Sequence, residues 1–312
     1  MLIVLLRRTV FLVAPLLVVF GAQNALAYEI GMGDQKPAMF GDPRFQALGI
    51  KNVRRIVSWN VALKNDWERQ LVDQWLKSAR AAREKPLIAF EGAWDRPDYL
   101  PSVREYRRAF KAFRRRYPKV RFYTPWNEAN HRFQPTARNP RRAASFYNVI
   151  RKRCRGCRIV AADVLDEESA GPWIRIFRKH TRGRPRLWGL HNYIEANRPD
   201  LPGSSTASFL DEVPGKVWIT ETGGLVEHTT LDGRTNWPYD EQRAATAVER
   251  AFDIARAHPQ ITRVYLYQWT VAANEEWDSA FIGPDGAARP ALQVLENELA
   301  RLRARNARKR HR

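Results

Sequence analysis

Residues 86–126 read PLIAFEGAWDRPDYLPSVREYRRAFKAFRRRYPKVRFYTPW. The segment begins and ends with β-rich runs, 86–92 and 120–126, and a helix candidate at 102–116 lies between them. Pro118 follows this helix, at a place where proline stops a helix from continuing. A strand, a helix and a second strand in this order indicate two parallel strands joined by a right-handed crossover.

The same alternation continues in both directions along the chain. Further β-rich runs lie at 28–33, 53–59, 158–163, 187–193, 216–221 and 263–269. The other helix candidates, one after each remaining run, are 43–50, 66–84, 140–153, 168–181, 206–212, 240–257 and 290–307. Eight such units predict an α/β protein with a single (β/α)8 barrel, the TIM-barrel architecture. The alternative is an open doubly wound sheet, but Gly31-Met32-Gly33 is too short for its glycine-rich phosphate turn.

Composition excludes several classes of protein. The chain has 312 residues, of which 44% are hydrophobic, so it is not an intrinsically disordered protein. Two cysteines are too few for a disulfide scaffold. Lysine and arginine number 53 against 33 acidic residues, which gives a formal net charge of +20 and bears on partners rather than on the fold.

The first 27 residues are typical of a secretory signal peptide. Arg7 and Arg8 precede a short apolar run at 11–20, and Ala25-Leu26-Ala27 matches the cleavage pattern. A membrane anchor is the alternative, but a spanning helix needs about 20 apolar residues and this run is shorter. We therefore expect three parts, a signal peptide at 1–27, a barrel at 28–300 and a basic tail at 301–312, in a protein that is secreted or associated with the cell envelope.

Two glutamates stand where predicted strands end. Glu128 follows Trp126-Asn127 after the fourth strand, and Glu221 ends the seventh. The active site of such a barrel lies at this end of the strands. A pair of carboxyl groups is what glycoside hydrolysis requires, since one protonates the departing oxygen and the other stabilises or attacks the anomeric carbon. Either glutamate alone would be interpreted as a solvated loop residue, and it is the pair that favours catalysis.

With these residues in place, the chain resembles the clan A glycoside hydrolases, among them the family 5-like and family 39-like barrel enzymes. The resemblance implies that Glu128 is the acid/base, that Glu221 is the nucleophile and that Asn127 binds the sugar 2-hydroxyl. It also implies that Arg54 lies beneath the nucleophile.

The resemblance gives further residues a role at the site. His191 and Tyr193, on the sixth strand, occupy the region where the clan places a residue that contacts the nucleophile. Trp269, at the end of the eighth strand, resembles the clan's sugar-stacking tryptophan, although a plain core position is also consistent with it. An ionised Glu221 is expected to raise the pKa of Glu128 and keep it protonated.

Other residues at strand ends are candidate substrate contacts. Trp126 and Trp277 have apolar faces on which sugar rings could stack. Glu91, at the end of the third strand, is a third carboxylate that we expect to contact substrate or to form a salt bridge. This chemistry requires no metal or cofactor, and no cluster of ligand residues in the sequence implies one.

Cys154 and Cys157 are expected to form a local disulfide. A zinc site would need a second pair of ligands, and a redox motif would need a thioredoxin-like context. Dense basic patches, such as 114–116 and 301–312, indicate either solvated helix faces or attraction to anionic cell-envelope polymers. Nucleic-acid binding would need a motif beyond charge, and none is present.

These observations predict an exported, monomeric glycosidase that cleaves a poly- or oligosaccharide by a two-glutamate, retaining mechanism. The alternative from another class is a barrel that binds a carbohydrate or an anionic polymer without catalysis, because fold alone does not fix function.

Overall fold

A computed structural model describes residues 28–310 apart from positions 65, 202, 204 and 231. The predicted signal peptide at 1–27 lies outside the described residues. Within the described part of the chain the strands are, in order, β1 (Glu29–Gly33), β2 (Asn52–Ser58), β3 (Lys85–Glu91), β4 (Phe122–Thr124), β5 (Arg158–Ile159), β6 (Asp163–Leu165), β7 (Leu187–His191), β8 (Lys216–Thr222), β9 (Glu227–Thr229), β10 (Thr235–Trp237), β11 (Ile261–Tyr267) and β12 (Trp277–Asp278).

Nine of these strands pair in parallel in the order β5-β4-β3-β2-β1-β11-β8-β7-β6. The two end strands, β5 and β6, are halves of one segment, 158–165. The Val160 amide donates to the Tyr123 carbonyl of β4, and the Ala161 amide donates to the Leu187 carbonyl of β7. The segment therefore bonds to one neighbour with its first half and to the other neighbour with its second. The sheet closes on itself, which confirms the (β/α)8 barrel.

All eight predicted helices are present, with ends shifted by a few residues. The helices of the described chain are α1 (Pro43–Leu48), α2 (Trp67–Ala81), α3 (Val103–Arg116), α4 (Pro140–Arg153), α5 (Ala170–His180), α6 (Tyr193–Asn197), α7 (Ser205–Glu212), α8 (Glu241–Ala257) and α9 (Pro290–Arg310). Local signals explain where several begin: Ser102 and Glu105 form a capping box at the start of α3. Among the α-helices of the described chain, α6 alone was not expected, because one turn of helix has no apolar periodicity to read.

The core consists of two separate apolar clusters. The larger lies between the barrel and its surrounding helices. The smaller fills the inside of the barrel near the start of the strands, with Leu87, Val160, Trp218 and Tyr265. Gly31 on β1 makes room for the second cluster, because a Cβ atom at that position would overlap the Tyr265 ring. Polar side chains occupy the barrel interior above this layer.

A separate antiparallel sheet forms outside the barrel, in the order β10-β9-β12. It joins the loop after β8 to the loop after β11, on the side where the barrel strands end. Strands of two or three residues leave no alternation in a sequence, so this sheet was not predicted.

The last helix runs through the boundary expected at residue 300. Leu302 is buried in the larger core, and the Arg303 guanidinium donates to the Leu48 carbonyl. The start of the predicted basic tail therefore packs on the barrel as part of α9. Cys154 and Cys157 form the predicted disulfide at the end of α4. None of the helices among the described residues has the length and apolarity needed to cross a bilayer.

Candidate active site

The strand ends bring a network of buried charged residues to one rim of the barrel. Arg54 on β2 is at its centre and is 1% exposed. Its Nη1 donates to Glu221 Oε2, and its Nη2 donates to Asn127 Oδ1 at 2.6 Å and to Asp163 Oδ2 at 3.0 Å. One guanidinium thus fixes groups from the fourth, fifth and seventh barrel strands.

His191, the last residue of β7, bridges two carboxylates. Its Nδ1 lies 3.1 Å from Glu128 Oε1, and its Nε2 lies 3.4 Å from Asp163 Oδ2. The ring is fully buried, whereas the Glu128 side chain remains 21% exposed. Of the pair, Glu128 is therefore the partner that solvent or a ligand can reach.

The two glutamates predicted as catalytic face each other across this rim. A carboxylate oxygen of Glu128, one of Glu221 and a ring nitrogen of His191 all lie within 4.8 Å of one another. Tyr193, the first residue of α6, donates its hydroxyl to Glu221 Oε1 at 3.1 Å. Each oxygen of the Glu221 carboxylate thus accepts a hydrogen bond, one from Arg54 and the other from Tyr193.

The backbone at Glu128 is unusual for a residue with a side chain. Its φ of +44° lies in the left-handed region that favours glycine. The Ala129 amide, immediately after it, donates to the Asp163 carbonyl at 2.8 Å. The surrounding contacts therefore hold Glu128 in a conformation that its own sequence does not prefer.

The charges around His191 determine its protonation. Burial lowers the pKa of His191, but the carboxylates of Asp163 and Glu221 outweigh that effect and raise it to about 10. For Asp163 the effects are reversed. Burial raises the pKa of this carboxyl group, whereas His191 and Arg54 outweigh burial and lower the pKa to about 2. The imidazole is therefore an imidazolium at neutral pH, held between carboxylates.

The expected electrostatics of Glu128 were wrong. An ionised Glu221 was expected to raise its pKa. Burial does favour the protonated form, but the hydrogen bond and positive charge of His191, together with His131 and Arg54, lower the pKa of Glu128 below its ordinary value. At neutral pH the proton therefore resides on His191 rather than on Glu128.

Glu91 ends β3 beside these residues. Burial raises the pKa of Glu91 to about 8, and the negative charges of Glu128 and Glu221 add to the effect. No hydrogen bond or ion pair of its carboxyl group is present among the described residues. The predicted salt bridge is thus not seen, and the group is free for the other predicted role, contact with a ligand.

Of the three tryptophans that were predicted to contact substrate, one lies at the site and two lie in the core. The Trp277 ring lies edge-on to Tyr193, with centroids 5.1 Å apart, and so borders the site. Trp269 is fully buried, donates to Asp42 and packs against Phe281. A sugar has no access to its faces, so the expectation that Trp269 stacks on substrate is corrected.

Trp126 requires the same correction. It is 1% exposed, stacks on Phe146 and donates to Gln134 Oε1 at 2.8 Å. It supports the loop that carries Asn127 and Glu128 and has no face for a sugar.

Two residues at the site were missed from the sequence. Asp163 contacts both Arg54 and His191, and its position as the last residue of the predicted fifth strand was the available signal. Gly189 leaves space for its carboxylate, which a Cβ atom would overlap. The other is Tyr267, which ends β11 and is close enough to Glu221 for that charge to raise its pKa, although burial is the larger cause.

Glu128, His191 and Glu221 bring three ligand atoms as close together as a metal site requires. The Arg54 guanidinium already contacts Glu221 and lies 3.3 Å from His191 Nε2. A metal ion there would face a fixed positive charge, which disfavours that use of the three residues.

Comparison with known proteins gives likeness in structure but none in sequence. No family model and no curated protein matches the chain. A GH5_18 protein from Streptomyces cattleya, solved in complex with GlcNAc, has a TM-score of 0.61 and 15% identity over 89% of this chain and 81% of its own. Xylanase 10B from Thermotoga maritima has a TM-score of 0.63 and 9% identity over 88% and 95%.

A GH113 β-1,4-mannanase adds a third likeness, with a TM-score of 0.56 and 11% identity over 88% of this chain and 98% of its own. Together these structures establish the fold of the chain, which is a (β/α)8 barrel. The predicted architecture is confirmed.

Proposed function

We propose that the protein is a glycosidase that cleaves O-glycosidic bonds of a poly- or oligosaccharide with retention of configuration. The observation that carries this proposal is the approach of Glu128 and Glu221 to within 4.8 Å, oxygen to oxygen. Carboxyl groups about 5–5.5 Å apart fit a covalent intermediate, whereas an inverting mechanism needs about 6.5–9.5 Å to admit water. The neighbours named as a xylanase and a mannanase support a sugar polymer as substrate.

In the first step Glu221 attacks the anomeric carbon, and a carbon–oxygen bond forms as the bond to the leaving group breaks. The Arg54 guanidinium donates to one oxygen of Glu221, and the Tyr193 hydroxyl orients the other. The leaving oxygen takes a proton from the Glu128 carboxyl group. Asn127, held by Arg54, binds a hydroxyl of the same sugar.

The proton for the leaving group comes from the pair formed by Glu128 and His191. At rest the imidazolium holds it, 3.1 Å from Glu128. Transfer to Glu128 and on to the leaving oxygen makes His191 neutral. In the second step water attacks the glycosyl–enzyme ester, Glu128 takes its proton and Glu221 is released as a carboxylate, so the pair regains its charge.

The alternative, a barrel that binds sugar without cleaving it, does not account for the arrangement. Binding alone needs no carboxylate aligned by both an arginine and a tyrosine, and no second carboxylate coupled to a proton store. The signal peptide predicted at 1–27 supports export, and we propose a secreted or envelope-associated location for the mature chain.

The test begins with a panel of neutral and acidic polysaccharides, on which the purified protein should release reducing sugar. Glu221→Gln should then lower kcat about 10⁴-fold or more, while Glu296→Gln, at an exposed position on α9, should have no effect. Azide should restore turnover to Glu128→Ala by forming a glycosyl azide of retained configuration. Wild-type turnover by Glu221→Gln would refute the mechanism, and an inverted product would refute retention.

A further inference from the structure

The end of the barrel opposite to the active site is strongly basic. Helices α3, α4 and α5 have last turns that contain 114–116, 151–153 and 178–180, and every one of these residues is basic. Helices of the barrel run against the strands, so these turns lie together at the end where the strands begin. A helix C-terminus carries only about half a negative charge, which cannot balance the arginines and lysines of these turns.

A groove of about 800 Å³ lies between α3, α4 and the turn after α5, and six cations line it, three of them from the last turn of α4. We name it the basic groove, and its cations are Arg107, Arg151, Lys152, Arg153, Arg155 and Arg182. No carboxylate among the described residues lines it. All six side chains are exposed, and none forms an ion pair with another described residue. By contrast, Arg175 on α5 pairs with Glu212.

A second basic cavity adjoins the groove. It has a volume of about 500 Å³, and Arg158, Arg186, Lys216 and Arg263 line it at the start of the barrel strands. Glu29 is its one carboxylate and is paired with Arg263. Ile159 lines both cavities, so the two adjoin at this residue.

We propose that the basic groove binds an acidic polysaccharide, a chain whose sugars carry carboxylate groups. Guanidinium groups bind carboxylates through paired hydrogen bonds, and several cations along one groove match a polymer with repeated charge. The lining has no aromatic side chain on which the bases of a nucleic acid could stack. It also has none of the exposed large apolar residues that would enter a lipid surface.

A polymer bound in the basic groove leaves the active site open, because the two lie at opposite ends of the barrel. The groove would therefore hold the protein on an anionic matrix while the catalytic residues stay accessible. Contacts in the adjoining cavity would add to the affinity through the same chain. This site is independent of the proposed hydrolysis.

The test is binding of polygalacturonate, with dextran as the neutral control. Substitution of Arg151, Lys152, Arg153 and Arg155 by Gln should weaken binding about tenfold or more at 50 mM salt, and wild-type affinity should fall steeply by 200 mM. A matched control removes four exposed cations from the outer face of α3 by replacing Arg104, Arg108, Lys111 and Arg115 with Gln. It should stay within about twofold of wild type.

Equal losses in the two quadruple variants would show attraction to net charge alone and would overturn the proposal. So would tighter groove-dependent binding of duplex DNA or of phosphatidylglycerol vesicles. Glu221→Gln should bind polygalacturonate normally, and the groove variant should keep wild-type turnover of a neutral substrate, which separates this site from the proposed function. If the groove variant does not fold, polygalacturonate should still protect Arg151 and Arg153 of the wild type from phenylglyoxal, and lack of protection would refute the site.

Discussion

Among the described residues, the charged side chains of the active site are buried and paired, and those of the basic groove at the other end of the barrel are exposed and unpaired. At the active-site end, Arg54, Asp163 and His191 are at most 1% exposed, and each contacts a group of opposite charge. At the other end the cations of the basic groove are exposed and unpaired within the described chain. A buried charge is costly without a partner, whereas an exposed one is stabilised by water. The net charge of +20 therefore reports on the surface and not on the site.

Exposed apolar groups show the reverse distribution. Seven large hydrophobic residues are exposed in the described part of the chain. Ile176 lies on the side of the barrel, and the others follow strand ends at the active-site end: Leu63, Trp67, Trp94, Phe133, Leu201 and Tyr239. Trp67 and Trp94 have ring centroids 5.5 Å apart. One end thus offers aromatic surface and carboxylates, and the other offers cations. The following changes test that division.

The largest effect is expected from Arg54→Leu. The change would leave Glu221 buried without its cation and Asp163 with His191 as its remaining cation, which should lower the free energy of unfolding by about 3–5 kcal/mol. Arg55→Leu is the matched control, because Arg55 is also buried but forms no ion pair with a described residue. Urea unfolding measures both. If the losses of unfolding free energy in Arg54→Leu and Arg55→Leu differ by less than about 1 kcal/mol, the ion pairs of Arg54 do not stabilise the fold as proposed.

A smaller loss should follow from His191→Phe, which removes the proton store beside Glu128. We expect kcat/KM to fall about 10²-fold. In the wild type the imidazolium persists until the pH approaches about 10, so the alkaline limb of the pH–rate profile should lie near that value. In the variant Glu128 must hold the proton alone, and the limb should move to lower pH.

The control for that experiment is His180→Phe, an exposed position at the opposite end of the barrel. Its pH–rate profile should coincide with that of the wild type. An unchanged alkaline limb in His191→Phe would show that His191 only supports the structure.

The variants Glu91→Gln and Glu84→Gln compare two carboxylates with raised pKa values. Glu91 lies at the active-site end of the barrel, and Glu84 lies at the other end. Burial raises their pKa values to about 8 and about 7. The folded state holds each proton more tightly than the unfolded chain does, so wild-type stability should fall as the pH rises from about 4.5 through these values.

Each Gln variant cannot ionise and should be more stable than the wild type at pH 9, by about 2 kcal/mol after allowance for solvent screening. Thermal unfolding at pH 5 and pH 9 measures this. Only Glu91→Gln should also lower kcat/KM, by about tenfold through loss of a substrate contact. Equal effects of the two variants on turnover would remove Glu91 from the site.

The smallest effect is expected from Arg263→Gln at the basic end. Arg263 lies 4.0 Å from the centroid of the Trp218 ring and pairs with Glu29. Its loss should cost about 1 kcal/mol of stability and leave kcat/KM unchanged. A loss of activity at constant stability would show that the two ends are coupled.

The sequence predicted the barrel and much of the candidate site because strand ends are ordered by the fold itself. Arg54, Glu128, His191 and Glu221 are brought together once alternating strands and helices close a barrel. The failure at Trp269 has a simple cause. The eighth strand ends at Tyr267, two residues before the predicted end, so Tyr267 and not Trp269 is the aromatic residue at the end of this strand.

What the sequence could not provide were the energetic consequences of burial. The pKa of Glu128 depends on a histidine 63 residues away, and its direction is decided by contacts that no spacing reveals. The unequal distribution of charge between the two ends of the barrel can be predicted from the sequence. Basic residues in the last turns of α3, α4 and α5 must lie at one end, because the helices of a barrel run in the same direction.

Closure through segment 158–165 also bears on how the protein behaves at high concentration. Strands with unpaired edges recruit other chains and begin aggregation. In the barrel the two end strands belong to one segment that bonds on both sides, so no edge is offered there. Among the described residues the open edges belong to β10 and β12, which have three and two residues and are too short to template a fibril.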